Sequence, residues 1–169
     1  MPISASPLLL SSFVLAHAAW NVSDLPKGDL LCPLAIVEQS GQRKLSRFEA
    51  SSQAEAIAHG KEAMSEASKT ADAWAFAHDG LMRAKDGSKV DIISVDFWAK
   101  GMSRPAALIQ KYEPLAEKGK FRLIGEPVLV IDGVAQTQDQ AKEALQTIQQ
   151  GIASHTKVAP LLWSGWRTE

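Results

Sequence analysis

The chain lacks several features that would point to a specialised class of protein. A single cysteine among 169 residues excludes a disulfide within the chain. The 18 basic and 19 acidic side chains nearly cancel, and without a basic excess we expect no nucleic-acid partner. The apolar run near the N-terminus is too short to cross a bilayer, so we expect no membrane span. What remains, 46% hydrophobic and 22% charged residues, is typical of one soluble globular domain, here residues 1–169.

Motifs that carry a reaction are also missing. The sequence has no glycine-rich phosphate loop, no G-x-S-x-G nucleophile turn, no H-E-x-x-H and no C-x-x-C. The four histidines are far apart in sequence, so their spacing predicts no metal site. We therefore expect no cofactor, assign no catalytic residue, and lean toward a protein that is not an enzyme.

Two interpretations of the N-terminus are open. An apolar run at positions 8–16 followed by small residues is typical of a signal peptide, here cleaved after Ala18, and the protein would then be exported. However, the first basic residue is Lys27, so the usual positive start of a signal peptide is missing. Because Ser6 followed by proline suits a helix start, we favour a helix within residues 1–22 and a cytoplasmic protein. The predicted buried face of that helix is Leu9, Phe13, Ala16 and Trp20.

Apolar periodicity along the rest of the chain predicts an α+β fold. Alternating segments between positions 30 and 50 predict two strands, and a helix follows with a Ser52/Glu55 capping pattern. Three or more strands come next, then a C-terminal helix capped by Thr137. Short links and hairpins predict a mainly antiparallel sheet of about five or six strands, with helices packed on one face.

The most informative segment is Ala73–Trp98, in which two alternating apolar runs flank Asp86-Gly87. This dipeptide is typical of a two-residue type I′ turn, which fixes the register of the hairpin. In that register His78 faces Val95 on the core side of the sheet. The opposite, open face then holds Asp79, Ser94, Asp96 and Trp98.

That open face is the first candidate site. Asp79 and Asp96 would be diagonal neighbours beside Ser94 and Trp98, close enough for one carboxyl pKa to be raised. The arrangement predicts a small-ligand-binding or hydrolytic domain that uses the carboxylate pair. Candidate helper residues are His78 and Lys100.

The tail at residues 157–169 is the second candidate site, because it carries Trp163 and Trp166. Such a tail either packs back on the domain or anchors another subunit, since tryptophan is frequent at interface hot spots. The leading hypothesis is a non-catalytic module that binds a protein partner or a second copy. It would do so through this tail and the Trp98 edge of the open face.

Overall fold

A computed structural model of the chain describes residues 3–26, 29–114, 120–158 and 161–167. The helices are α1 (Ala5–Val22), α2 (Gln53–Ala67), α3 (Lys142–Ala153) and α4 (Leu161–Trp166). The strands are β1 (Leu34–Gln39), β2 (Gln42–Arg47), β3 (Ala73–Arg83), β4 (Lys89–Ala99), β5 (Ala106–Glu113), β6 (Arg122–Ile131) and β7 (Val134–Ala135). Helices and strands follow the predicted order, with a short seventh strand and a short last helix added.

The strands form one antiparallel sheet in the order β2-β1-β3-β4-β5-β6-β7. This confirms the predicted α+β class with helices toward both ends of the chain. Seven strands are described rather than five or six, because the two-residue β7 pairs with the end of β6. Helices lie on both faces of the sheet, since α1 and α2 belong to separate apolar clusters on opposite sides.

Helix α1 lies in the core. It packs on β3 and β4, where Ala75 and Ala77 are fully buried and small enough for close approach, and α3 packs against it as well. Leu10 and Leu15 are therefore 0% exposed, whereas Trp20, on the predicted buried face, is 38% exposed. The prediction of a single buried stripe was wrong because α1 is covered on more than one side. By length and composition alone α1 could also cross a membrane, a property that core helices and signal sequences share.

Helix α2 packs on the opposite face of the sheet. Its start is capped as predicted, since the Ser52 hydroxyl accepts a hydrogen bond from the Glu55 backbone N–H at 3.1 Å. Gly60 faces the ring of Phe76, and a Cβ at Gly60 would lie 2.2 Å from that ring. Glycine at this position therefore lets α2 approach β3 closely and sets the height of the helix above the sheet.

The turn between β3 and β4 is one residue longer than predicted. Gly87 has a φ of +86°, whereas Asp86 does not have the positive φ that a type I′ turn requires. The Gly87 backbone N–H donates to the Ala84 carbonyl at 3.0 Å, which makes a type I turn followed by a left-handed glycine. Arg83 consequently pairs with Lys89, and the register predicted from a two-residue turn was wrong.

Candidate functional site

The register of β3 and β4 decides which candidate residues share a face. His78 lies directly across from Ser94, and Phe76 lies across from Asp96. Since side chains alternate along a strand, Ser94, Asp96 and His78 all face the α2 side, whereas Asp79 faces the α1 side. The prediction that Asp79 and Asp96 are diagonal neighbours on one open face was wrong, and so was the prediction that His78 lies opposite Val95. The shift of one residue in the turn accounts for both errors.

Asp79 joins three segments of the fold. Its carboxylate accepts hydrogen bonds from the Leu31 backbone N–H at 2.5 Å and from the Tyr112 hydroxyl at 2.9 Å, and the residue is 8% exposed. Burial raises the pKa of Asp79, and the two hydrogen bonds act in the opposite direction. A carboxylate satisfied in this way links the segment before β1 to β3 and β5. Its role is structural.

Asp96 differs from Asp79 in having no hydrogen-bond donor. It is half-buried on β4, and among the described residues nothing donates a hydrogen bond to its carboxylate. Burial raises the pKa of Asp96, while the positive charges of His78 and Lys61 act in the opposite direction. The Asp96 oxygens are not among the fully buried polar atoms, so water can reach them, and a donor on a bound molecule would replace that water inside the cavity.

A cavity of about 450 Å³ opens in front of Asp96, between α2, the sheet and the loop after β4. This volume lies within the range of small-molecule sites. The charged lining residues are Lys61, Asp96 and Arg104, and the aromatic ones are Trp74, Phe76 and Trp98. Of the residues predicted for the open face, Asp96 and Trp98 therefore line the cavity. Lys100 is exposed beyond β4 and is not part of this lining.

Two tryptophans form a fixed wall of the cavity. Trp74 and Trp98 are directly opposite each other on β3 and β4, with ring centroids 6.5 Å apart and ring planes 24° apart. The Trp74 indole N–H donates to the Ser68 hydroxyl at 2.8 Å, and the Trp98 indole N–H donates to the Met102 carbonyl at 2.9 Å. Because both N–H groups are used within the chain, the two rings are held in place before any ligand arrives.

His78 has a defined tautomer when it is neutral. Its Nδ1 lies 2.9 Å from the Asp79 carbonyl oxygen, which can only accept, so Nδ1 carries the proton and Nε2 is the acceptor. Ser94 lies across the strand from it, but no hydrogen bond between the Ser94 hydroxyl and His78 is found within the described ranges. The described geometry therefore contains a potential base without a formed nucleophile–base pair.

The tryptophan tail packs on the domain. Trp163 is 8% exposed and belongs to the same apolar cluster as α1, and Trp166 meets Phe121 edge to face with centroids 5.1 Å apart. Arg167, the last described residue, forms an ion pair with Glu126 on β6. Both rings are thus largely occupied within the chain. Positions 159–160 and 168–169 of the tail lie outside the described residues.

A histidine pair is a second polar cluster that sequence spacing did not indicate. His17 Nδ1 lies 3.0 Å from His155 Nε2, so the pair connects α1 to the segment after α3. The outer nitrogens, His17 Nε2 and His155 Nδ1, are buried, and no described residue forms a hydrogen bond with either. Burial lowers the pKa of both histidines, and the charge of His155 lowers the pKa of His17 further.

Neither the cavity around Asp96 nor the histidine pair brings together enough metal-binding side chains to form a metal site. Within the described part of the chain, no group of three or more His, Cys, Asp or Glu side chains is placed to hold a metal ion. Comparisons of the chain with protein-family models, with curated proteins and with solved structures found no match. A functional conclusion therefore has to come from the cavity and the surfaces around it.

Proposed function

We propose that this protein binds a small organic ligand in the cavity between α2 and the β3–β4 hairpin. The observation that carries this proposal is the Asp96 carboxylate, which is half-buried in the cavity lining without a donor among the described residues. An apolar pocket in which a few polar groups converge is the usual form of a small-molecule site. A perturbed carboxyl pKa in a cleft supports the same interpretation.

Binding without chemical conversion fits this cavity better than catalysis. Hydrolysis by a serine would need a base in hydrogen-bond reach of the hydroxyl, and the described contacts of Ser94 and His78 do not include that bond. The second carboxylate that a two-acid mechanism needs is also missing from the lining, because Asp79 lies on the other face of the sheet.

A fragment screen by thermal shift tests the proposal. A ligand at about 100 times its dissociation constant stabilises the protein by about 2.7 kcal/mol, which is easily seen as a higher melting temperature. We expect hits whose effect on the wild type is reduced in Asp96→Asn. Asp139→Asn, which changes an exposed acid away from the cavity, should respond like the wild type. Hits that act equally on all three proteins, or an absence of hits, would contradict ligand binding at Asp96.

A second candidate function, self-association, is favoured by the uncovered part of the same sheet face. Helix α2 lies over β1 and β3, and the facing side chains of β5 and β6 are only partly buried. The apolar ones among them are Ala107, Ile109, Ile124, Val128 and Val130, and the exposed Lys111 lies opposite Ile124 on the same face. A flat, apolar sheet face can pack against the same face of a second copy about a twofold axis.

The size of this apolar face indicates a weak dimer. At about 32 Å² of sheet plane per facing residue, five residues cover roughly 160 Å². A stable interface buries about 800 Å² on each partner, so we expect dissociation at low protein concentration. Sedimentation velocity across a concentration series should show a dimer that Ile109→Lys removes. Leu81→Lys, which changes a leucine that is 62% exposed on the other face, should leave the dimer intact. A monomer at every concentration would rule this function out.

A further inference from the structure

We infer that the ligand of this cavity is a small aromatic carboxylic acid that carries a hydroxyl or amino group on its ring. This inference rests on the proposed function, because it names the chemical class of ligand for the same cavity. Three features of the lining lead to it: a flat aromatic wall, an excess of positive charge, and one carboxylate without a donor.

The aromatic wall selects for a flat ring. Trp98 is the partly exposed ring beside Asp96 on the sheet side, and Met64 of α2 packs with the buried Trp74 and Phe76 beneath it. Aromatic faces pack best against another ring in an offset or edge-on arrangement, and a thioether adapts to ring edges. Because the Trp98 indole N–H is already bound to the Met102 carbonyl, that ring offers a π surface rather than a hydrogen bond.

The charge balance of the lining selects for an anion. Lys61 and Arg104 line the cavity together with a single acid, Asp96, so one positive charge is left over. Arg104 contacts Asp132 at 3.3 Å, but both side chains are well exposed, and such pairs exchange partners easily. A ligand with one negative charge balances the lining, whereas a cation would meet Lys61 and Arg104 with the wrong sign.

The Asp96 carboxylate selects for a donor on the ligand. It is partly desolvated and has no donor within the described residues, so a hydroxyl or amino group would form a hydrogen bond that the free protein does not make. Hydrogen bonds to a charged acceptor are stronger than those between neutral groups. The ligand should therefore place its acid toward Lys61 and its ring donor toward Asp96.

Isothermal titration with a set of simple probes tests each feature separately. The probes are the three hydroxybenzoate isomers, benzoate, phenol and benzamidine. We expect one hydroxybenzoate isomer to bind about tenfold more tightly than benzoate, which lacks the donor, and than phenol, which lacks the charge. Benzamidine, a cationic ring, should bind most weakly.

Two variants assign the two differences to residues. Asp96→Asn should abolish the advantage of hydroxybenzoate over benzoate, and Lys61→Gln should abolish the advantage of hydroxybenzoate over phenol. Lys69→Gln, two residues after the end of α2, serves as the matched control, because Lys69 is exposed, pairs with Glu66 and is not part of the cavity lining. Circular dichroism melts establish that each variant is folded before its affinities are compared.

The outcomes separate the ligand class from the proposed function. Tighter binding of benzamidine or phenol, weakened by Asp96→Asn, would overturn the aromatic acid while supporting a ligand site. If none of the probes binds but the fragment screen yields hits that depend on Asp96, the class is likewise wrong and the site stands. If the screen also fails, both are wrong. Equal effects of Lys61→Gln and Lys69→Gln would remove the assigned role of Lys61.

Discussion

The histidine pair His17–His155 should make the protein lose stability as the pH falls below about 6.5, the ordinary pKa of a histidine. The two facing nitrogens are 3.0 Å apart and can share only one proton, because a proton on each would bring two donors together. Protonation of both rings would also place two positive charges in contact. Arg47 adds a further positive charge, which lowers the pKa of His17.

The sign and the upper limit of this effect follow from proton linkage. Burial lowers the pKa of both histidines in the folded state, so the unfolded chain binds more protons below pH 6.5 and unfolding is favoured there. The stabilisation is complete above the unfolded pKa and is lost as the pH falls toward the lowered folded values. Each group contributes at most about 1.4 kcal/mol per pH unit, so the pair contributes at most about 2.7 kcal/mol per pH unit. His17 is partly exposed, and we therefore expect a slope nearer one proton than two.

Urea unfolding between pH 5 and pH 8 measures this slope. The wild type should lose free energy of unfolding below pH 6.5, and the His17→Leu/His155→Leu double variant should lose much less. His59→Gln, which changes an exposed histidine on α2, should follow the wild type. Because the double variant changes two side chains of the core, a titration of the wild type by NMR gives an independent reading. Both pair histidines should remain neutral as the pH falls through 6.5, the ordinary pKa of a histidine.

Parallel pH profiles for the wild type and the double variant would refute the reasoning. They would mean that the two imidazoles bind protons in the folded protein as readily as in the unfolded chain. Protonation of His17 and His155 near pH 6.5 in the NMR titration would lead to the same conclusion. In either case the buried outer nitrogens would have to be accessible to water.

Four further predictions concern stability. Asp79→Leu should destabilise the protein by about 1–3 kcal/mol in urea unfolding, because the Leu31 backbone N–H and the Tyr112 hydroxyl then lose the carboxylate that accepts from them. Asp96→Asn should raise the melting temperature at pH 7, because the raised pKa of Asp96 means that its negative charge lowers the stability of the folded protein. The gain should become smaller at lower pH, where Asp96 in the wild type is protonated and no longer carries that charge. Gly60→Ala should destabilise the protein by about 1–3 kcal/mol, because the added methyl group would contact the Phe76 ring. Adding Phe76→Leu to the Gly60→Ala variant should recover part of this loss. Equal melting temperatures for Gly60→Ala and the wild type would contradict the close approach of α2 to β3. Trp163→Ala should destabilise the protein by about 3–5 kcal/mol, because Trp163 is buried in the core. A variant of unchanged stability that no longer binds a partner would instead show that the tail is a binding surface.

Sequence patterns predicted the elements of this fold well because each pattern depends on local chemistry. The Ser52 cap of α2 follows from the needs of a helix end, and it is present in the structure. Alternation along Ala73–Arg83 likewise predicted a strand with two different faces. None of these patterns depends on contacts with distant parts of the chain.

The site was harder to predict because it depends on contacts that the sequence does not encode locally. Asp86-Gly87 fits both a two-residue turn and the end of a three-residue loop, and the two differ by one step of register. The capping pattern of α2 predicts where the helix starts but not on which face of the sheet it packs, so Lys61 could not be assigned to a cavity. His17 and His155 are 138 residues apart, and no spacing rule connects them. The packing of α1 against both the sheet and α3 could not be predicted either, because the contacting segments are far apart in sequence.

The contrast between Asp79 and Asp96 supports the proposed ligand site. Both acids lie on the same hairpin, and burial raises the pKa of each. At Asp79 the fold supplies two donors, which shows that this architecture can satisfy a buried carboxylate. At Asp96 it supplies none among the described residues and places the group in a cavity instead. A neutral side chain would be more stable there, and residues that lower stability in this way are typical of sites adapted to a ligand.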